Sequence, residues 1–207
     1  MRPIRPTRRE AMRRIVRAAA AASTGPLLAA AGGAIRAAQA APAWLPPPRL
    51  PDASLVDHLG RPQRLRSDAI QDQVVLVHFF FTGCAATCPP QTALLRDLRE
   101  RLDARPPARP VRFVGVSVDP LGDGPAELRA YLQRFSIDAG PAAGWIWLTG
   151  APRSVASVLD AFGVGAGSAD AHPNLLWIGD AARGRWTRTA ALQSASLLAA
   201  RVEEVAS

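Results

Sequence analysis

The chain has no lysine, and only two cysteines, three histidines, two methionines and one tyrosine in 207 residues. All of its positive charge is therefore arginine. Both methionines, Met1 and Met12, lie near the start, so nothing after residue 40 could serve as the axial methionine of a blue-copper site. The CxxCH pattern of covalent haem attachment is absent. Gly and Pro recur without a period and no internal repeat is visible, which excludes collagen-like and solenoid architectures.

What charge there is lies unevenly. Residues 1–40 hold eight Arg against one acid, Glu10, for +7, while residues 41–207 hold 17 Arg against 16 acids, for +1. A near-neutral body lacks the footprint that phosphate backbones require, so nucleic acid is not an expected partner. The basic stretch instead has the parts of an export signal. Arg2 to Arg17 form a positive region, Ala18 to Ile35 a mildly apolar one, and Ala38-Gln39-Ala40 a small-x-small cleavage site. Arg8-Arg9 after Thr7 matches a twin-arginine signal in part, since Ala11 stands where a bulky apolar residue is usual; the general secretory route is the alternative. An uncleaved leader acting as a membrane tether is the other alternative, although Pro26 and Arg36 interrupt the apolar stretch. In each case the body is expected outside the cytoplasm, in the periplasm.

The organisation expected is an export signal over 1–40, a Pro-rich linker over 41–52 and one domain over 53–207. Leu55 to Pro62 reads as a short strand entering a Gly turn. Val74 to Phe81 is a continuous β-branched and aromatic run, as in a strand buried on both faces. A helix follows, with Pro89-Pro90 at its start, where the missing N–H donors cost nothing. Val111 to Val118 predicts a second buried strand, Pro125 opens a second helix, and Trp145 to Leu148 predicts a third strand. Val155, Leu159 and Phe162 mark a helix stopped by Gly163. Leu175–Ile178 and Arg185–Thr189 flank a turn and read as a β-hairpin. Ser194 or Ser196 caps a last helix. This alternation predicts an α/β fold with a central sheet, helices on its faces and an added hairpin.

The chemistry concentrates on Cys84 and Cys88. A structural disulfide between such near neighbours would restrict the unfolded chain little. At a strand-to-helix turn, by contrast, backbone N–H groups and the helix dipole favour a thiolate. The four-residue spacing turns both sulfurs toward one point and opens a wider gap than CxxC, which suits a metal. Of the histidines, His58 reads as a solvated turn residue and His78 as a core histidine in mid-strand. His172 lies in a Gly- and Ala-rich loop just before a strand, where function is commonly carried. Two thiolates and an imidazole suit copper, whereas structural zinc would want a fourth ligand that only Asp170 is near enough to offer.

The run Phe79-Phe80-Phe81-Thr82-Gly83-Cys84-Ala85-Ala86-Thr87-Cys88-Pro89 resembles the strand-turn motif of the Sco/SenC copper proteins. Ser117-Val118-Asp119-Pro120 with Asp123 and Pro125, the triplet Leu148-Thr149-Gly150, and His172 far downstream fit the same family. The resemblance covers roughly residues 50–207. It implies a thioredoxin-like fold binding Cu(I) or Cu(II) through Cys84, Cys88 and His172, and a role in assembling the copper centre of cytochrome c oxidase. The implied partner is an oxidase subunit or another copper client. The family's usual Pro-Asp-Val between the cysteines is Ala85-Ala86-Thr87 here, and Ala171 separates His172 from Asp170. A second reading is a thiol–disulfide reductant, with Cys84 attacking and Cys88 resolving. In an oxidising compartment either reading needs a thiol reductant protein as a further partner. A peroxiredoxin-type peroxidase fits poorly, because Phe81 and Ala85 stand where that chemistry uses a threonine before its cysteine.

Overall fold

The computed structural model describes residues 44–165, 169 and 172–207. The export-signal reading of residues 1–40 lies outside them, as does most of the loop before His172. The body, Pro42–Ser207, is one compact unit. Among the described residues no helix is long and apolar enough to cross a membrane.

Among the described residues, seven strands form one mixed sheet. In chain order they are β1 (Ser54–Asp57), β2 (Pro62–Arg64), β3 (Val74–Phe80), β4 (Val111–Ser117), β5 (Trp145–Thr149), β6 (Leu175–Asp180) and β7 (Arg185–Ala190). Across the sheet they run β2-β1-β5-β4-β3-β6-β7. The central trio β5-β4-β3 is parallel, in register Val74↔Val111 and Phe113↔Trp145, and antiparallel strands extend both sides. Helices α1 (Cys88–Ala104), α2 (Pro125–Arg134), α3 (Pro152–Ala161) and α4 (Ala195–Ala206) fill the connections. This is the thioredoxin-like arrangement anticipated from the sequence, with β6 and β7 as its hairpin.

The strand preferences follow from burial on two faces. All seven residues of β3 are buried, and successive side chains point to opposite sides. Phe79 packs its ring on Phe162 beyond α3, while Phe80 meets Tyr131 of α2 and Trp147 of β5. His78 is the core histidine expected. Its ring is edge-on to Trp147 at 4.8 Å, and Trp145 Nε1 donates to its Nε2 at 3.3 Å. Only glycine fits opposite it, since a Cβ on Gly115 would stand 2.8 Å from that nitrogen. Prolines open α1, α2 and α3, and Ser194 caps α4 by accepting from the Leu197 N–H at 3.2 Å.

Two features depart from the sequence reading. Leu65–Ile70 forms a π-helical turn that buries Leu65, Ala69 and Ile70, although six residues are too few to show a period. His58, expected in solvent, is only 5 % exposed. The turn is drawn onto the body: the His58 N–H donates to the Trp147 carbonyl at 3.1 Å, and Arg129 donates to the His58 carbonyl at 2.9 Å. Burial then holds the His58 imidazole below its ordinary pKa.

Candidate metal centre

Strands β3 and β4 end side by side, and the loops leaving their carboxyl ends meet there, which is where open parallel sheets present ligand sites. Phe81 to Thr87 forms the first loop, and Cys88 is already the first residue of α1. The Cys84 N–H turns back to the Phe81 carbonyl at 3.2 Å. The Cys88 N–H donates to Cys84 Sγ at 3.3 Å, and the Thr87 hydroxyl lies 3.6 Å from the same sulfur. The helix start thus aims its unpaired donors at Cys84, as the sequence position implied.

The two thiols are not equivalent. Burial alone would raise Cys84, but hydrogen bonds from the Cys88 thiol and N–H, the Thr87 hydroxyl and the Ala86 N–H outweigh it and bring the thiol down to about 7. Cys88 is wholly buried, and burial together with its bond to Cys84 pushes its thiol up to about 12. Cys84 is half-buried and reachable. One site therefore pairs an accessible, ionisable sulfur with a sheltered, protonated one.

The second loop holds the first in place, a role the sequence did not announce. Asp123, 1 % exposed, accepts from the Thr82 N–H at 3.1 Å, from the Thr82 hydroxyl at 2.6 Å and from the Ser117 hydroxyl at 2.6 Å. Its own carbonyl takes the Thr149 hydroxyl at 2.7 Å, so the ends of β3, β4 and β5 converge on one residue. Arg134 donates to the Thr82 carbonyl at 3.1 Å from the other side. The sequence marked Asp123 only as part of the family resemblance around Ser117 to Pro125, without a role. Behind Cys88, the hydroxyls of Thr92 and Tyr131 are bonded at 2.8 Å in the core; burial, reinforced by the charge of the two cysteines, raises the Tyr131 phenol to about 12.

The structure brings the two cysteines together and sets His172 beside their loop. Its ring lies edge-on to Phe81, with centroids 6.3 Å apart, and Phe81 is three residues ahead of Cys84. Among the described residues, no group of three or more His, Cys, Asp and Glu is gathered closely enough to hold a metal ion. His78 and His58 are committed to the core and the β1–β2 turn. The donor types at the loop fit a soft, thiophilic metal: two sulfurs one helical turn apart, and an imidazole on a neighbouring loop.

The fold has close counterparts among solved structures. A SCO1/SenC family lipoprotein from Bacillus anthracis superposes with TM-score 0.65 at 22% identity, over 78% of this chain and 96% of that one. Yeast Sco1 with copper bound superposes with TM-score 0.60 at 19% identity, over 79% and 92%. Among characterised proteins, the SCO1 protein homolog of Bacillus subtilis is 33% identical over 87 residues, 42% of each chain. The mitochondrial SCO2 homolog of Mus musculus is 38% identical over 84 residues, 41% of this chain and 32% of that protein. The matched stretches thus span less than half the length of these two relatives. The profile of the SCO1/SenC family matches residues 51–202, nearly the whole body. The chain belongs to the SCO1/SenC family.

Proposed function

We propose that this protein is an extracytoplasmic copper metallochaperone in which Cys84, Cys88 and His172 hold one ion, as Cu(I) or Cu(II), for a client of cytochrome c oxidase assembly. The observation that carries the reading is the thiol pair at the helix start, with the Cys88 N–H donating to Cys84 Sγ. Copper is the cargo. Cys84, reachable from solvent, is its point of entry and exit, and Cys88 is the sheltered sulfur that retains it. His172 completes the set from the side marked by Phe81, so the three ligands close together when the metal is present. Two further facts support the assignment: yeast Sco1 has been crystallised with copper, and the structural neighbour BsSco is described as a member of the Sco family of cytochrome c oxidase assembly proteins.

Anaerobic titration of the reduced protein with copper tests this. The expected result is one ion per chain, with Cu(II) binding weakened at least about a hundredfold in His172→Ala, in line with the loss of one imidazole ligand. No binding by the unaltered protein would overturn the assignment. Unchanged binding in the variant would remove His172 from the site.

The inequality of the thiols favours a second activity at the same place. The Cys84 thiolate attacks a client disulfide and releases one client thiolate. Cys88 then displaces the client from Cys84, so the client gains two electrons and the Cys84–Cys88 disulfide is left for a thiol reductant protein to reduce. This activity would proceed without metal and be indifferent to His172→Ala, which separates it from delivery.

A further inference from the structure

Single exposed leucines are common on soluble proteins and ask for no explanation. Their placement here does. Among the described residues, four large apolar side chains are exposed: Leu59, Leu121, Leu192 and Leu197. Three of them stand at the thiol end of the sheet. Leu121, 87 % exposed, follows β4, which runs parallel to β3 and ends beside it with Ser117 opposite Phe80. Leu192 follows β7, whose last residue, Ala190, is level with Leu175 at the start of β6. Because β6 is antiparallel to both β3 and β7, β7 ends where β3 ends. Leu197 lies in the first turn of α4, which packs beside α1. Leu59 alone lies at the other end, in the β1–β2 turn.

In strand order the thiol end therefore reads Leu121 after β4, Cys84 after β3, His172 before β6 and Leu192 after β7. Three strand spacings separate the outer pair, roughly 14 Å. Both leucines sit on pinned turns. Beside Leu121, the Gly122 N–H donates to Asp119 Oδ1 at 3.1 Å and the Asp123 N–H to the Asp119 carbonyl at 2.9 Å. Beside Leu192, the Ala191 N–H donates to the Asn174 carbonyl at 3.0 Å, and the Gln193 carboxamide folds back onto Thr189 and Ala190. A surface fixed in advance binds at lower entropic cost. The surroundings are also poor in charge. Although 20% of the chain is charged, no Asp, Glu or Arg occurs from Phe79 to Leu95 or from Thr189 to Ala200. In the loop of Leu121, Asp123 is buried and Asp119 is turned back onto the Gly122 N–H. Arg134, bonded to the Thr82 carbonyl, stands at the rim.

We propose that this end docks an extended, uncharged segment of a client protein in which apolar side chains flank a cysteine, laid across Cys84 from Leu121 to Leu192 and Leu197. Docking there rests on the reading of Cys84 as the point of exchange with a client, and adds what that client presents. An extended chain covers 14 Å in about four residues and turns alternate side chains to one face. A cysteine with leucines two positions to either side thus matches three contacts: sulfur on Cys84, and leucine on leucine at both flanks. A second copy related by a twofold axis through this face would close the exchange site. An anionic bilayer would call for cationic side chains on these loops, and the stretches around Cys84 and Leu192 have none.

Disulfide exchange on the reduced full chain tests this, with the peptide Leu-Ala-Cys-Ala-Leu carrying thionitrobenzoate on its cysteine. The Cys84 thiolate bonds to the peptide sulfur as thionitrobenzoate leaves, so one S–S bond replaces another and the released thiolate reports the rate. The leucine peptide should react about twentyfold faster than Ser-Ala-Cys-Ala-Ser, about fivefold for each leucine half-buried on contact. Leu121→Ser should remove about fivefold of that preference, and Leu192→Ser with Leu197→Gln about as much. All three positions are exposed, and iodoacetamide should alkylate Cys84 in these variants at the rate of the unaltered protein, which shows the thiol site intact. Equal rates for the two peptides, or a preference that survives all three substitutions, overturns the proposal. Exchange with neither peptide overturns the exchange reading of Cys84 itself, and docking with it. Dimers in sedimentation, or capture on phosphatidylcholine vesicles, abolished by the triple substitution would give the face to a second copy or to lipid and overturn the proposal as well.

Discussion

Two buried aspartates organise opposite ends of the sheet, and they are held by different chemistry. At the thiol end, the Asp123 carboxylate is bound, among the described residues, only by an amide and by hydroxyls, from Thr82 and Ser117. At the far end, Asp180 closes β6 with its carboxylate fully buried between the guanidiniums of Arg109 and Arg183, the latter at 2.9 Å. It also accepts from the N–H groups of Ala182 and Arg183 at 3.1 and 3.2 Å. Burial by itself would raise the Asp180 carboxyl, but these donors override it and hold the pKa below the usual carboxylate value. The far end is thus locked by charge. At the thiol end the Asp123 carboxylate itself is held by neutral donors, while the Arg134 guanidinium reaches the same loop at the Thr82 carbonyl, 3.1 Å away.

The comparison breaks most visibly at Asp180. Asp180→Ala should cost about 3 kcal/mol of stability, the low end for breaking a buried pair, because both arginines remain partly in water. Urea unfolding measures it, and copper binding by the folded fraction should be unchanged. A loss below about 0.5 kcal/mol would mean that the ion pairs add no more than exposed ones do. Acid separates the same contribution by pH. A carboxylate with a depressed pKa stabilises the fold above its unfolded value near 3.8, and that stability is lost only as pH falls below it.

Between the two ends lies His78, and its window is different. Burial pushes its imidazole down to about 3 from 6.5. The unfolded chain therefore takes up a proton below pH 6.5 that the folded chain refuses, and stability falls as pH drops from there toward 3. The loss should reach about 2 kcal/mol at pH 5, at about 1.4 kcal/mol per pH unit. His58 titrates in the same direction and adds to the slope. His78→Gln keeps an acceptor for Trp145 Nε1 and removes the titration, so its unfolding free energy should fall less steeply between pH 6.5 and 4. An unaltered slope in this variant would place the acid sensitivity elsewhere.

These contributions were not equally visible in the sequence. The strand Val74–Phe80 and the helix starts at Pro89, Pro125 and Pro152 declare themselves by composition, because burial on both faces demands a continuous apolar run and proline marks a first turn. The cysteine pair was legible for the same local reason: four residues at a strand-to-helix turn determine where both sulfurs sit. Asp123 and Asp180 were not legible in their roles, since Thr82 and Arg109, the partners that tie them across the fold, lie 41 and 71 residues away along the chain. His58 misleads for a related reason. A Gly-containing turn suggests solvent, and only the tertiary contacts with Arg129 and Trp147 bury it.

The finest test of the comparison is therefore at Asp123, where a small change in stability should accompany a larger change in the thiols. Asp123→Asn keeps the shape and lets the Ser117 and Thr82 hydroxyls reorient, so unfolding should shift by about 1 kcal/mol, the scale of a single weakened hydrogen bond. The loop from Thr82 to Cys84 loses its firmest anchor, and alkylation reports that directly. In the unaltered protein Cys84 should react with iodoacetamide at a rate that is half-maximal near pH 7, while Cys88, buried and near 12, stays inert. In Asp123→Asn the Cys84 midpoint should move up toward its ordinary value near 9, because the loosened loop no longer holds the sulfur against the Cys88 N–H. Asp180→Ala should leave that midpoint where it was. If both substitutions moved it equally, the two ends would be coupled through the sheet, and neutral anchoring at the thiol end would no longer account for the reactivity of Cys84.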